Sequence, residues 1–113
     1  MEAVKFAPYE GYLMGLPTNK NHMVFRWKGP GKVLFSVCQK GNAASCHFAS
    51  NKEGLRHLKK ACDDFVNFCF FLFPWCKMVM AHVGKESIGR LIMKIGFIPL
   101  GDSDQGTVYV RLP

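Results

Sequence analysis

The side chains of this chain that could carry chemistry are four histidines and five cysteines. They are His22, His47, His57 and His82, and Cys38, Cys46, Cys62, Cys69 and Cys76. No two cysteines have the Cys-x-x-Cys spacing of a zinc site, and the histidines lack the short spacing of paired metal ligands. We therefore expect no metal site, and we expect reduced thiols that pack as small core residues.

His47 is the best-placed candidate for a general base, because an imidazole titrates near neutral pH. The chain has no Asp or Glu from Gly11 to Lys52, so the strands expected there offer no carboxylate for this role. Cys46 adjoins His47, but successive strand residues point to opposite faces, so the two side chains form no dyad. The alternative is that His47 is an ordinary strand residue whose ring is satisfied by a neighbour.

The composition indicates a single domain over residues 1–113. Of the 113 residues, 49% are hydrophobic and ten are Phe, which excludes a disordered tail. The most apolar run, residues 65–76, is too short to span a membrane, and the first residues lack the apolar core of a signal peptide. We therefore expect a cytoplasmic protein that does not associate with a membrane.

The formal charge of +7 suits several partners. One local cluster contains Lys52, Arg56, Lys59 and Lys60. A basic face of this kind can bind nucleic acid, a phosphorylated cofactor or an acidic protein, and it can also be a solvated helix face. Nucleic acid ranks last among these partners, because no RNA-binding motif accompanies the aromatic residues.

The elements that must position these residues follow from the hydrophobic periodicity. Ser50 and Glu53 form a capping-box pattern at the start of a long helix, which must end before Pro74. Gly84 or Lys85 begins a second helix, and Gly96 ends it in a left-handed conformation. Strands are expected over 22–28, 32–39, 43–49, 76–83, 97–100 and 107–112, and residues 1–22 are irregular, apart from a short strand that Val4–Phe6 could form. The prediction is an α+β fold, with a central mixed sheet and two helices.

This element order resembles the C-terminal two-thirds of a GNAT-type N-acetyltransferase. The most specific local match is Val83 to Phe97, VGKESIGRLIMKIGF, which is similar to the family's strand, loop and helix ending in Gly-Phe. The resemblance implies a GNAT-like fold that is truncated at its N-terminal side. A narrower pattern, from Gly41 through Cys46, Phe48 and Ser50 into the basic helix, resembles small GNAT-like proteins of short-tailed bacteriophages.

The resemblance implies that acetyl-CoA binds where the long helix begins. The matching positions are Phe48, Ala49, Lys52, Gly54, Leu55 and Arg56. Of the family's glycine-rich phosphate loop only Gly54 is present, so an ordinary capped helix start is the alternative. Ile92 occupies the position of the family's usual acid, a tyrosine. Tyr109, Ser87 and Cys46 carry other protons, and we take Tyr109 with His47 as the catalytic candidates.

These departures from the family pattern leave two functional hypotheses. The first is a phage-type protein that acts mainly by protein interaction, with a host protein or a virion protein as partner, in the host cytoplasm or in the virion. The second is a small N-acetyltransferase that transfers the acetyl group of acetyl-CoA to an amine. Homo-oligomerisation is compatible with both.

The aromatic residues at the end of the long helix are too dense for one helical stripe to bury. They are Phe70, Phe71, Phe73 and Trp75. Leaving large apolar side chains in water costs about 1.5–3 kcal/mol each. We therefore predict that this helix end contributes to a self-association or host-protein interface. The alternative is that the N-terminal segment folds over these side chains.

Overall fold

A seven-stranded mixed sheet forms the centre of the computed structural model, which describes residues 5–16, 21–104 and 106–113. The strands are β1 (Phe6–Pro8), β2 (Met23–Trp27), β3 (Val33–Lys40), β4 (Ala43–Ser50), β5 (Met78–Val83), β6 (Ile98–Ser103) and β7 (Gly106–Arg111), and the helices are α1 (Lys52–Leu55), α2 (Leu58–Leu72) and α3 (Glu86–Met93). The strand order is β1-β2-β3-β4-β5-β7-β6, and only β4 and β5 pair in parallel. This arrangement confirms the predicted α+β fold. Among the described residues, no helix is long and apolar enough to cross a membrane.

The core lies between the sheet and α2. Phe35 on β3 stacks on Phe65 of α2, with ring centroids 4.3 Å apart and planes 8° apart. Val33 and Val37 lie two residues before and two residues after Phe35, so their side chains are on the same face of the strand, and all three are buried. Leu34 on the opposite face is also fully buried, which confirms that β3 is covered on both sides.

The predicted long helix is divided into α1 and α2. The amides of Arg56 and His57 bond three residues back, to Glu53 and Gly54, so the first turn tightens before α2 begins. The N-cap is Asn51 rather than Ser50, whose backbone still pairs with Val33 in the sheet. The described residues therefore form three helices where the sequence predicted two, and the capping-box prediction was wrong by one residue.

The N-terminal segment contains the short strand β1, whose first residue, Phe6, is the last residue of the strand that the sequence suggested over Val4–Phe6. Phe6 of β1 is buried and contacts Phe35, Phe65 and Phe68. Its register partner in β2 is Trp27. The aromatic contacts hold this short strand on the sheet. A strand of three residues is too short for its hydrophobic periodicity to predict it from the sequence. Val4, which the sequence prediction included in the strand, lies outside the described residues.

The C-terminal part follows the prediction closely. Lys85 is the N-cap of α3, and Gly96 has a φ of +98° just beyond the helix. The following hairpin places β7 between β5 and β6. Because β7 is inserted there, α3 packs beside the centre of the sheet and not at its edge.

Candidate functional site

The parallel strands β4 and β5 pair over only part of their length and then separate. Their register runs from the pair Ala43 and Met78 to the pair Cys46 and Ala81. Beyond that pair, β4 continues to Ser50 and remains bonded to β3, while β5 continues to Val83 and remains bonded to β7 on its other edge. In the described chain, the edge of β4 that faces β5 has no strand partner after Cys46. The sheet is therefore open at its centre, with backbone N–H and C=O groups along the opening.

A cavity of about 260 Å³ lies at this opening. It is lined mainly by apolar side chains from the sheet, α2 and α3, namely Phe35, Phe48, Phe65, Val66, Val79, Ala81, Val83, Ile88, Ile92 and Phe97. The polar lining comes from His47, His82, Cys46, Cys62 and Lys85. Among the described lining residues there is no carboxylate. An apolar cleft with a few convergent polar groups is the usual form of a small-molecule site.

Three imidazoles lie close together on the sheet face opposite α2. The His47 ring centroid is 6.5 Å from that of His82, with the planes 13° apart, and 6.1 Å from that of His22. Ser36 is the register partner of His47 on β3 and is fully buried. Burial, and then the electrostatic effects of the neighbouring His22, His82 and Lys40 side chains, lower the pKa of His47. His47 is therefore uncharged near neutral pH and able to accept a proton.

His82 lines the cavity beside His47. Its Nδ1 atom is buried and has no hydrogen-bond partner in the part of the chain that the structure describes.

The two cavity cysteines are poor nucleophiles. Burial, followed by the neighbouring Cys69 thiol, raises the pKa of Cys46 well above its usual value. Burial, together with the nearby Asp63 carboxylate, raises the pKa of Cys62 to about 12. Because the thiolate is the reactive form, both side chains act as apolar lining at neutral pH.

The predicted coenzyme residues lie in two different environments. Phe48 lines the cavity, and Ala49 continues β4 beside it. Lys52, Leu55 and Arg56 are exposed on and just after α1. The structure therefore brings Phe48 to the cavity and leaves the basic residues on the surface near the start of α2.

Gly54 is packed inside this region and does not present a free amide. Its backbone N–H donates to the Asn51 Oδ1 atom at 2.8 Å, and the same oxygen accepts from the Lys32 amide at 3.0 Å. A Cβ atom on Gly54 would lie 2.5 Å from the Ser50 Oγ atom and 2.7 Å from Val33 Cγ2. Close packing against β3 and β4 explains the glycine here.

Tyr109, the second predicted catalytic residue, does not line the cavity. It is buried on β7, and its hydroxyl lies against the backbone of Gly89 in α3. Ile92, which occupies the position of the family's tyrosine, does line the cavity. The structure therefore separates Tyr109 from His47 and places an apolar side chain where the resemblance suggests a hydroxyl.

The cavity lining contributed by α3 and by the end of β5 was not predicted from the sequence. Ile88 and Phe97 belong to the stretch that carries the GNAT resemblance, yet no side chain in it was assigned to a site. In the sequence, only the residue type of His82 suggested that it could belong to a functional site. Its proximity to His47 depends on the parallel pairing of β4 with β5, which local patterns do not report.

The aromatic end of α2 is only partly exposed. Phe73 is buried, and it stacks on Trp75 with centroids 4.8 Å apart. Phe70 and Trp75 are half-buried and pack against the core. Phe71 and Leu72 are exposed, at 56% and 38%. The apolar surface here is thus smaller than the sequence suggested.

Comparison with solved structures identifies the fold. No protein-family model and no curated protein sequence matches the chain. A mutant of the spermidine N-acetyltransferase SpeG from Vibrio cholerae is similar, with 13% identity, a TM-score of 0.66, and coverage of 83% of this chain and 67% of that chain. The aminoglycoside acetyltransferase AAC(6')-Ib in complex with coenzyme A is also similar, with 14% identity, a TM-score of 0.63, and coverage of 82% and 67%.

These neighbours are GNAT-family acetyltransferases, so this chain has a GNAT-like fold. It spans about two thirds of the length of both neighbours, which agrees with the predicted truncation. Another similar structure, with 12% identity and a TM-score of 0.65, is described as a dodecamer of the V. cholerae spermidine enzyme, covering 83% of this chain and 66% of that chain. At these identities the likeness concerns the fold, and the function requires its own argument.

Proposed function

We propose that this chain is a small N-acetyltransferase that takes its acetyl group from acetyl-CoA and transfers it to an amine. The observation that carries the proposal is the separation of β4 from β5 after Cys46 and Ala81, with an apolar cavity at the opening. The GNAT-like fold supports it, and so does the coenzyme in the AAC(6')-Ib complex.

The opening fits the pantetheine arm of coenzyme A. That arm is an extended chain with two amide groups, and the free edge of β4 at His47 and Phe48 offers backbone groups that can pair with such a chain. The apolar walls from Ile88 and Ile92 suit its methylene and methyl groups. The bound coenzyme would supply an acyl group activated as a thioester.

The phosphate end of the coenzyme fits less simply. The Gly54 amide already donates to Asn51, and α1 has only four residues, so a glycine-rich phosphate loop of the family type is not formed. Lys52 and Arg56 are exposed and positively charged, and we assign the phosphate contacts to their side chains. Gly54 then has a packing role.

The proposed role of His47 is to accept the proton that the amine loses. Its pKa is lowered by burial and by the neighbouring His22, His82 and Lys40 side chains, so the ring is unprotonated at neutral pH. His82 lies beside it, with the two ring centroids 6.5 Å apart and the ring planes 13° apart. Tyr109 holds α3 against β7 through its contact with Gly89, so we propose for it a positioning role.

The test is calorimetric titration with acetyl-CoA on two matched variants of α3. Ile88→Trp fills the cavity, whereas Leu91→Trp adds the same bulk at a half-buried position of the same helix that does not line it. We expect the unmodified chain and Leu91→Trp to bind acetyl-CoA and Ile88→Trp to lose binding. Equal binding by both variants, or no binding by the unmodified chain, would contradict the proposal.

A non-catalytic, phage-type interaction protein is the second candidate. The observation that favours it is the exposed pair Phe71 and Leu72, an apolar surface that a host or virion protein could cover. The apolar side chain of Ile92 at the position of the family's tyrosine and the hydrogen-bonded amide of Gly54 favour it as well. The comparisons offer no link to phage proteins, and they support the acetyltransferase better.

A further inference from the structure

Burial divides the lining of the cavity into a mouth and an inner part. The residues of the mouth, which include His47, His82 and Lys85, are half-buried or exposed. The residues of the inner part are each at most 8% exposed, and they come from β3, β4, α2, β5, α3 and the residue before β6. We call the space that they surround the inner chamber, and they are Phe35, Cys46, Cys62, Phe65, Val66, Val79, Ile92 and Phe97.

The inner chamber offers a ligand almost no hydrogen-bonding group. None of its side chains has a nitrogen or oxygen atom, and the Cys46 thiol already donates to the Ala44 carbonyl at 3.6 Å. Up to the pair Cys46 and Ala81, the backbone of β4 is bonded to β3 on one edge and to β5 on the other. A polar group that entered this space would lose its hydrogen bonds to water without replacement, so the chamber suits an uncharged apolar group.

The proposed binding mode of coenzyme A directs its thiol end toward this chamber. The two pantetheine amides need hydrogen-bond partners, and the free edge of β4, which begins after Cys46, provides them. The phosphates are assigned to Lys52 and Arg56, which follow the far end of β4. The thioester then lies where the two strands separate, at Cys46 and Ala81, and the acyl group beyond it enters the inner chamber.

An acetyl group is small for this space. The whole cavity measures about 260 Å³, and an apolar cavity of about 150 Å³ is sufficient to hold benzene, a molecule of six carbons. Beyond its carbonyl, an acetyl group adds only one methyl group. Walls that touch nothing lose their dispersion contacts, so each further methylene that enters the chamber stabilises the complex. The gain is about fourfold in affinity for each methylene, which corresponds to about 0.8 kcal/mol.

We infer that this site prefers the coenzyme A thioester of a straight, uncharged acyl chain of about four to six carbons, with its tail in the inner chamber. The inference rests on the proposed acyl transfer, and it names the acyl group. In that transfer the amine nitrogen bonds to the carbonyl carbon, the carbon–sulfur bond breaks, the amine proton goes to His47 and the coenzyme leaves as its thiolate. The preference distinguishes this chain from its structural neighbours, whose names describe acetyltransferases.

The first experiment is calorimetric titration of the unmodified chain with acetyl-CoA, butyryl-CoA, hexanoyl-CoA and succinyl-CoA. We expect butyryl-CoA to bind at least about tenfold more tightly than acetyl-CoA, because it adds two methylene groups at about fourfold each. Hexanoyl-CoA should bind at least as tightly as butyryl-CoA. Succinyl-CoA is the matched control, because its acyl group also has four carbons but ends in a carboxylate. It should bind no more tightly than acetyl-CoA.

The second experiment measures the inner chamber without the nucleotide. The probes are the acetyl and hexanoyl thioesters of N-acetylcysteamine, which lack the phosphates of coenzyme A. We expect the hexanoyl thioester to shift the methyl NMR signals of Val66 and Val79, which line the chamber from α2 and β5, and the acetyl thioester to shift them less at equal concentration.

Two matched variants of α2 locate the acyl tail. Cys62→Leu adds bulk to the inner chamber, whereas Cys69→Leu makes the same change at a buried position of the same helix that does not line it. We expect Cys62→Leu to bind acetyl-CoA without a preference for the longer chains, and Cys69→Leu to keep the preference. If Cys62→Leu does not fold, Val66→Ile adds one methyl group to the same wall and should reduce the preference for hexanoyl-CoA about fourfold. A preference that persists in the folded chamber variant, or that Cys69→Leu loses equally, overturns the inference.

The outcomes separate this inference from the proposed function. If acetyl-CoA binds as tightly as butyryl-CoA and hexanoyl-CoA, the inference is wrong and the acetyltransferase proposal stands. If the hexanoyl thioester binds at Val66 and Val79 but acetyl-CoA does not bind, the chamber has the inferred preference and the proposed function is wrong. If neither the longer coenzyme thioesters nor the hexanoyl thioester bind, the inference is wrong.

Discussion

His47 on β4 and His82 on β5 stack with their planes 13° apart and their centroids 6.5 Å apart, one residue beyond the last backbone pair of the two strands. The side chains therefore remain neighbours where the backbones have separated. This relationship brings two imidazoles to the opening of the cavity.

The first prediction concerns the pH dependence of catalysis. Burial and the neighbouring His22, His82 and Lys40 side chains lower the pKa of His47, with Ser36 as its uncharged register partner. The basic form therefore persists below pH 6.5, the usual imidazole value. We expect the acidic limb of kcat/KM to have its midpoint below pH 6.5 and to disappear in His47→Gln. A limb centred above pH 7 in the unmodified chain would contradict this assignment.

The lowered pKa of His47 also makes the stability of the folded chain depend on pH. Because the folded state binds the His47 proton more weakly than the unfolded state does, the free energy of unfolding decreases as the pH falls through the usual imidazole pKa. Urea unfolding at pH 8 and pH 5 measures the loss. We expect His47→Gln to lose less stability than the unmodified chain between these two values, and a larger loss would show that the shift has the opposite sign.

The second prediction concerns the contact between Gly89 and Tyr109. A Cβ atom at Gly89 would collide with the Tyr109 hydroxyl, so Gly89→Ala overpacks the interface of α3 with β7. We expect a destabilisation of about 1–3 kcal/mol. Adding Tyr109→Phe removes the hydroxyl and should recover part of it. Urea unfolding of both single variants and the double variant gives the coupling.

Tyr109→Phe alone separates a positioning role from a catalytic one. If the hydroxyl only packs against Gly89, kcat/KM remains close to that of the unmodified chain. A loss of about 100-fold or more at unchanged stability would instead indicate proton donation by Tyr109.

The third prediction concerns the buried carboxylate of Asp64. It accepts hydrogen bonds from Trp27 Nε1 at 2.9 Å, Lys60 Nζ at 2.8 Å and Lys5 Nζ at 3.2 Å, and so joins α2 to the strands at the N-terminal edge. Asp64→Ala leaves the buried indole N–H without an acceptor, which costs about 1–3 kcal/mol. Asp63→Ala, at the half-exposed neighbouring position, is the control and should change the free energy of unfolding by less than about 0.5 kcal/mol.

The cost of Asp64→Ala depends on pH. Burial by itself would raise the pKa of Asp64, but the hydrogen bonds from Lys60, Trp27 and Lys5 hold it below its usual value. The ionic part of the stabilisation is therefore complete above about pH 3.9, the usual carboxyl value, and is lost as the pH falls through the lower folded pKa. The difference in the free energy of unfolding between Asp64→Ala and the unmodified chain should therefore shrink in acid. A difference that grows as the pH falls would contradict a lowered pKa for Asp64.

The fourth prediction concerns the end of α2. Phe71 is 56% exposed, whereas Trp75 is half-buried and stacks on Phe73. We expect Phe71→Gln to leave the free energy of unfolding almost unchanged and Trp75→Gln to lower it. If Phe71 forms a self-association interface, Phe71→Gln also shifts sedimentation toward the monomer. Unchanged sedimentation of a chain that does associate would exclude that interface, and unfolding of Phe71→Gln would place this side chain in the core.

The sequence by itself determined the order of most elements and the chemistry available to the site. The mostly apolar run of β3, which is buried on both faces, and the helical stripe through Leu58, Cys62 and Phe65 follow from which side chains leave water. The absence of carboxylates from the central strands can also be read directly, because composition does not depend on folding. The left-handed Gly96 follows from its lack of a Cβ atom.

Only the tertiary structure decided where these residues meet. The opening after Cys46 and Ala81 depends on how two strands, joined by a crossover of more than twenty residues, diverge when each is held by a different neighbour. The position of Asn51 as the N-cap depends on the pairing of Ser50 with Val33. Periodicity reports which face of an element is buried, but not what lies against it, so the proximity of His47 to His82 had to come from long-range packing.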